Sequence, residues 1–96
     1  MKIPKSIKIG NMSYTVIESD FDDSKQMGSS DTVTQIIKLK PSLSREKKEE
    51  TLIHEIVHTI LDLSEFDVES ENEKLVTCIA NGIYQVFKEN GLLKDE

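Results

Sequence analysis

The first third of the chain reads as β structure, with apolar and polar positions alternating in short segments. Ser6-Ile7-Lys8-Ile9 alternates, Gly10-Asn11 is a turn dipeptide, and Tyr14-Thr15-Val16-Ile17 is rich in strand formers, so a β-hairpin is expected. Residues 18–31 are dominated by Asp, Ser and Gly, with Phe21 and Met27 the only large apolar side chains; they read as a mobile loop. Residues 32–40 read as another strand, or two short ones, stopped by Pro41. Lys38 and Lys40 fall on one face and Ile37 and Leu39 on the other, the pattern of a half-exposed edge strand.

From Ser42 onward the period is helical. Ser42 or Ser44 caps a charged first turn, and Ile53, Ile56, Val57 and Ile60 fall at i, i+3, i+4 and i+7. The first helix is expected from about Leu43 to Leu63. A short acidic connection follows at 65–70. Ser70-Glu71-Asn72-Glu73 then matches a capping box, and Leu75, Val76, Ile79, Ala80, Ile83, Val86 and Phe87 mark a second amphipathic helix ending near Asn90-Gly91. The fold class is therefore α+β: a short antiparallel sheet, hairpin plus edge strand, packed on two long helices. One domain spans 1–96, with a β-rich part at 1–41, the first helix within 42–64 and the second within 70–91.

Composition adds limits. Ninety-six residues, 36% hydrophobic and 31% charged, suit one small domain with a charged surface. No apolar run approaches the roughly 18 residues of a membrane span, and Met1 to Ser6 lacks the apolar region of a signal peptide. A cytoplasmic monomer is expected, with no membrane partner. Cys78 is the only cysteine, which rules out an internal disulfide and a cysteine-based zinc cage; it is expected in the core. Charge is uneven: residues 1–48 carry nine Lys and Arg against six Asp and Glu, whereas 49–96 carry three against twelve. An acidic half disfavours nucleic acid, whose binding rests on cation–phosphate attraction. It suits a bound metal, a cationic partner or a solvated surface.

The chemistry concentrates in His54-Glu55-Ile56-Val57-His58, an HExxH sequence in the middle of the first helix, which uses both histidines of the chain. Residues i and i+4 lie one turn apart on one helical face, so both imidazoles reach one ion. Zinc accepts such nitrogens at about 2.0–2.1 Å in tetrahedral geometry. Glu55, between them, is placed to move a proton. A catalytic zinc takes three protein ligands, and only carboxylates remain for the third. Glu73 is the first choice, because it shares a face of the second helix with Val76, Ala80, Ile83 and Phe87; Glu69 is the reserve. Glu73 is also the N3 residue of the capping box, a purely local role. Asp62, one turn past His58, suits a supporting position better than a ligand position.

The segments 51–62, 72–76 and 80–85 together resemble small gluzincin-type metallopeptidases, nearest the ImmA/IrrE-like peptidases and the minimal HExxH proteins of phages and mobile elements. The resemblance covers most of the chain. It implies a zinc-dependent endopeptidase with one Zn2+ per chain on His54, His58 and Glu73, Glu55 as general base, and a peptide or protein substrate. Two departures stand out. Thr77 occupies the position four residues after the third ligand, where relatives often carry an acidic group that orients a zinc-bound histidine. The oxyanion-stabilising His or Tyr of larger relatives also lacks a counterpart, since Tyr84 lies about 16 Å along the helix from Glu73 and Tyr14 sits on the hairpin. The substrate is expected to extend beside residues 35–40. The alternatives are a non-catalytic module stabilised by zinc, or a metal-free phage accessory protein that binds a basic partner through its acidic half.

Overall fold

The computed structural model describes residues 1–93. Four strands, β1 (Ser6–Ile9), β2 (Met12–Glu18), β3 (Gly28–Asp31) and β4 (Ile36–Leu39), precede three helices, α1 (Arg45–Leu63), α2 (Asp67–Glu71) and α3 (Glu73–Glu89). The strands form one sheet in the order β1-β2-β4-β3. The expected hairpin is β1–β2, paired antiparallel with Ile9 opposite Met12, and Gly10 supplies the positive φ that its turn requires.

The architecture is α+β, as the sequence predicts, and it departs from the expected sheet in three ways. First, β2 and β4 run parallel, so the sheet is mixed. Second, residues 28–31, read as loop, form β3, and the chain reverses through 32–35 into β4. Asp31 builds that reversal: its Oδ1 accepts from Val33 N at 2.8 Å and Thr34 N at 3.2 Å, and Gln35 adopts a φ of 56°. Thr32, Val33 and Thr34, read as strand, are this turn, with Val33 exposed to solvent. Third, β4 is interior, flanked by β2 and β3, so the free edge beside the helices belongs to β3. A substrate therefore has no edge to join along 35–40. The facing of β4 is as expected: Ile37 and Leu39 are fully buried, and the Lys38 ammonium lies 4.5 Å from the centre of the Phe21 ring.

The termini of α1 are chemically defined. Ser44 is the N-cap and accepts from Lys47 N at 3.1 Å. At the other end Glu65 takes a left-handed φ of 65°, Phe66 N bonds Leu61 O at 2.8 Å, and Glu65 N bonds Asp62 O at 3.2 Å. This is a Schellman ending with glutamate in the place glycine usually holds. The same motif closes α3, with Gly91 at φ 69° and Leu92 N on Phe87 O at 2.8 Å.

Two apolar clusters meet on α1. On one side Leu52, with Ile56 and Leu63, packs against Ile9, Tyr14, Val16, Ile37 and Leu39 of the sheet. On another, Ile53 and Val57 pack against Val76, Ala80 and Tyr84 of α3. Buried Glu49 reinforces the helix pair: its carboxylate accepts from the Tyr84 hydroxyl at 2.9 Å and pairs with the Met1 ammonium at 2.7 Å.

Gly28 fixes how closely β3 approaches α1. A Cβ at this position would lie 2.6 Å from Thr51 Cγ2 and 3.3 Å from Glu55 Oε2. Gly28→Ala is expected to destabilise the chain by about 1–3 kcal/mol through this overlap. In urea denaturation, adding Thr51→Ser, which deletes the clashing methyl, should recover part of the loss.

Candidate metal centre

The side of α1 left open by the two clusters carries His54 and His58. Their rings stand edge to face with centroids 4.9 Å apart, and the two Nε2 atoms are separated by 3.2 Å. Glu73, the first residue of α3, reaches across: Oε1 lies 2.8 Å from His58 Nε2 and Oε2 lies 3.1 Å from His54 Nε2. Neighbouring ligands of a tetrahedral zinc at about 2.0–2.1 Å sit roughly 3.3–3.4 Å apart, close to the separation of the two imidazole nitrogens, and Glu73 meets those nitrogens through different oxygens. Among the described residues, these three alone form a cluster of metal-binding side chains, with one donor atom from each lying within 4.8 Å of the others.

The local backbone explains why Glu73 is free to do this. The N-cap of α3 is Asn72, whose side chain accepts from Leu75 N at 3.1 Å, so Glu73 is the first helical residue and not the third of a capping box. Its carboxylate has no capping role and points at the histidines. Glu69 is exposed and does not line the cleft, so the reserve ligand is not brought to the site.

Ser70, the presumed cap, has another place. It is the only buried residue of the five-residue helix α2. Its Oγ lies 3.0 Å from His58 Nδ1 and 3.4 Å from the His58 carbonyl oxygen. In the tautomer protonated at Nδ1, Oγ accepts that proton while its own hydroxyl turns to the carbonyl, and Nε2 keeps its lone pair turned to the centre. Two imidazole nitrogens and a carboxylate converging this closely could hold a metal ion, or share protons as hydrogen bonds and an ion pair. Nothing in the sequence singles out Ser70, a serine in an acidic stretch. Thr77 lines the cleft but is exposed and has no hydrogen bond to either histidine.

Glu55 faces the sheet side of the same cleft, beneath Gly28 and Ser30 of β3, and is only 7% exposed. Burial raises its pKa to about 7, and the nearby Glu73 carboxylate adds to the rise. His58 and the Ser30 side chain pull the other way. Asp62 lines the cleft one turn beyond His58, and Lys47 and Glu50 lie at the far end, paired at 2.7 Å. The cleft has a volume of about 530 Å³, and among its lining residues Glu50, Glu55, Asp62 and Glu73 outnumber the one lysine, Lys47. The two tyrosines are elsewhere. Tyr14 is fully buried in the sheet cluster, with no hydrogen-bond partner for its hydroxyl among the described residues, and Tyr84 is bound to Glu49. Cys78, expected in the core, is exposed and away from the site. Among the described residues no helix is long and apolar enough to cross a membrane.

Comparison of the chain with protein-family models, curated proteins and solved structures finds no match.

Two outcomes follow from this geometry. A carboxyl whose folded pKa lies above its unfolded value favours the fold while protonated, so the contribution of Glu55 to stability is most favourable below about pH 4.5 and declines as pH rises towards about 7. Glu55→Gln should remove that decline in the metal-free chain. In pH-dependent denaturation the variant should gain on the order of 1–3 kcal/mol at pH 8 and almost nothing at pH 4. If the three donors take up zinc when it is offered, Ser70→Ala should leave the fold intact and weaken that binding by about 10–100-fold in chelator competition, since it frees His58 to turn. An unchanged affinity would show that Ser70 only anchors α2.

Proposed function

We propose that this chain is a zinc-dependent endopeptidase of the gluzincin type, with one Zn2+ held by His54, His58 and Glu73. The observation that carries the reading is the convergence of these three donors beside a buried Glu55 on the same helix. Among the described residues three protein donors stand at the wall of an open cleft, an arrangement that suits a catalytic site with a free position better than a closed structural one. When bound there, zinc supplies a Lewis acid and lowers the pKa of water.

The chain's own residues do the rest. Gln35 N and Lys40 N take the carbonyls of Asp31 and Met27, so those residues turn their backbone groups towards β4. By the alternation of an antiparallel pair, Gly28 and Ser30 turn theirs outward, to the edge above the cleft. An extended peptide adds to this edge and lies across the histidines. Glu55 takes the proton that the attacking water gives up and returns it to the leaving amine; a carboxyl with a pKa near 7 suits both transfers at neutral pH. Ser70 holds His58 in the tautomer that keeps Nε2 available.

The test is elemental analysis together with peptide cleavage. The expected result is about one zinc per chain, lost or much weakened in His58→Ala and Glu73→Ala. In Glu55→Gln the metal should stay and turnover should fall by at least about a hundredfold. Metal-free protein after zinc is offered, or an active Glu55→Gln, would overturn the reading. Retained zinc with no cleavage of any peptide by the wild type would favour the non-catalytic module.

A further inference from the structure

We propose that Asp62 selects the substrate by receiving a lysine or arginine side chain that stands two or three residues from the bond lying at the metal centre. Resting on the peptidase reading, this names its substrate class: peptides with a basic residue on one side of the cut.

Four carboxylates line the cleft, and three of them are engaged within the chain. Glu50 pairs with Lys47 at 2.7 Å, Glu73 meets both histidines, and buried Glu55 is bonded by the Ser30 side chain. Asp62 is half-buried, and its carboxylate has no hydrogen bond or ion pair among the described residues. One turn beyond His58, it is spaced to steady that imidazole, but the role is taken: Nδ1 meets Ser70, and Nε2 faces Glu73 and His54. Nor does Asp62 serve its own helix. It stands in the last turn of α1, which holds no basic residue, and a negative charge there opposes the helix dipole. A carboxylate that neither a partner nor the backbone favours has its capacity free for a cation from outside the chain.

The surroundings favour the same occupant. Tyr14 is fully buried, and its hydroxyl has no hydrogen-bond partner among the described residues. Burial, and then the charges of Asp31 and Asp62, hold its pKa above the ordinary value, and no cation of the chain offsets them there. Lys47, the one lysine in the lining, lies about four turns back along α1 and is matched by Glu50.

Helical spacing sets where along a substrate the cation falls. His54, His58 and Asp62 follow at i, i+4 and i+8 on one face of α1, and Asp62 is about 9 Å along the axis from the level midway between the histidines. Strand β3 keeps pace with this helix. A Cβ on Gly28 would meet Thr51 and Glu55, Ser30 bonds Glu55, and Asp31 acts with Asp62 on Tyr14. A peptide added to the β3 edge therefore advances along α1 as well, at about 3.3 Å per residue, and covers that distance in two or three residues. Lysine and arginine carry their charge on a long stem, which lets it leave the strand and meet a carboxylate on the helix.

The experiment measures cleavage of a peptide set by protein to which zinc has been offered. Every peptide is acetylated and amidated, so the varied residue carries its only charge. That residue is lysine, glutamine or glutamate, placed in turn at each of the three positions on either side of the cut. On one side, lysine should give a kcat/KM about tenfold above glutamine, with glutamate lower still, and the spread should narrow as salt rises. Asp62→Asn should bring lysine and glutamine within about twofold, and Asp62→Lys should reverse the order to favour glutamate. Both variants should melt no lower than wild type, because they remove a charge that opposes the helix dipole. A purely structural Asp62 would instead lower both melts and leave the order of peptides unchanged. The same peptides are titrated by fluorescence anisotropy against Glu55→Gln, with and without Asp62→Asn. Cleavage without a lysine preference, or with one that survives Asp62→Asn, overturns the subsite and leaves the peptidase reading in place. Asp62-dependent lysine preference in binding, with no cleavage by the wild type, supports the subsite and overturns the peptidase reading. Peptides neither bound nor cleaved overturn both.

Discussion

Helix α1 is buried on two sides at once, and the rest of the molecule is arranged round that constraint. Leu52 and its neighbours join the sheet, Ile53 and Val57 join α3, and the remaining arc is the only one on which His54 and His58 can stand. A helix clamped between two clusters has little freedom to roll, so the imidazoles inherit their direction from packing well away from them. That is how a domain of this size holds a polar centre: the precision of the site comes from the apolar residues alternating with it along one helix.

Two buried carboxylates on α1 show how differently the same side chain is treated. Glu49 receives a hydroxyl and an ammonium, and these outweigh the effect of burial to hold its pKa below the ordinary value. For Glu55, six residues on, burial outweighs the opposing pull of His58 and Ser30, and its pKa is pushed up to about 7. The first ties the termini of two helices together. The second is a local cost to the fold, of the kind that gathers at functional sites.

Much of this was legible in the sequence, for physical reasons that differ by element. The two long helices announce themselves through period and caps, and HExxH fixes its own geometry because one helical turn is a rigid spacer. Glu73 was found by counting round a helix whose cap was placed two residues early, at Ser70; the true cap is Asn72, and the correction removes the competing local role. Strand β3 was hidden because Gly-Ser-Ser-Asp carries no strand signal and owes its form to pairing with β4. The parallel pairing of β2 with β4 was hidden for the same reason, since it depends on where β3 inserts. Ser70 acts through a contact twelve residues away, which no local pattern encodes. The amphipathic reading of α3 also put half-exposed Leu75 and Ile79 in one set with buried Val76 and Ala80, because period alone cannot tell a covered apolar face from an open one.

The connection from Ser64 to Asn72 is a gauge of length as much as a linker. It starts from a left-handed Glu65, passes through α2 and delivers Glu73 to the level of the histidines on the antiparallel helix. Adding or deleting one residue there would turn the start of α3 by about 100° and shift it by about 1.5 Å relative to the apolar contacts that seat it. The helix would then have to choose between burying Val76 and Ala80 and presenting its carboxylate. Substitutions along this segment meet mostly solvent, whereas changes in its length reach the centre directly. For the centre, the count of residues between the helices therefore matters more than the identity of the exposed ones among them.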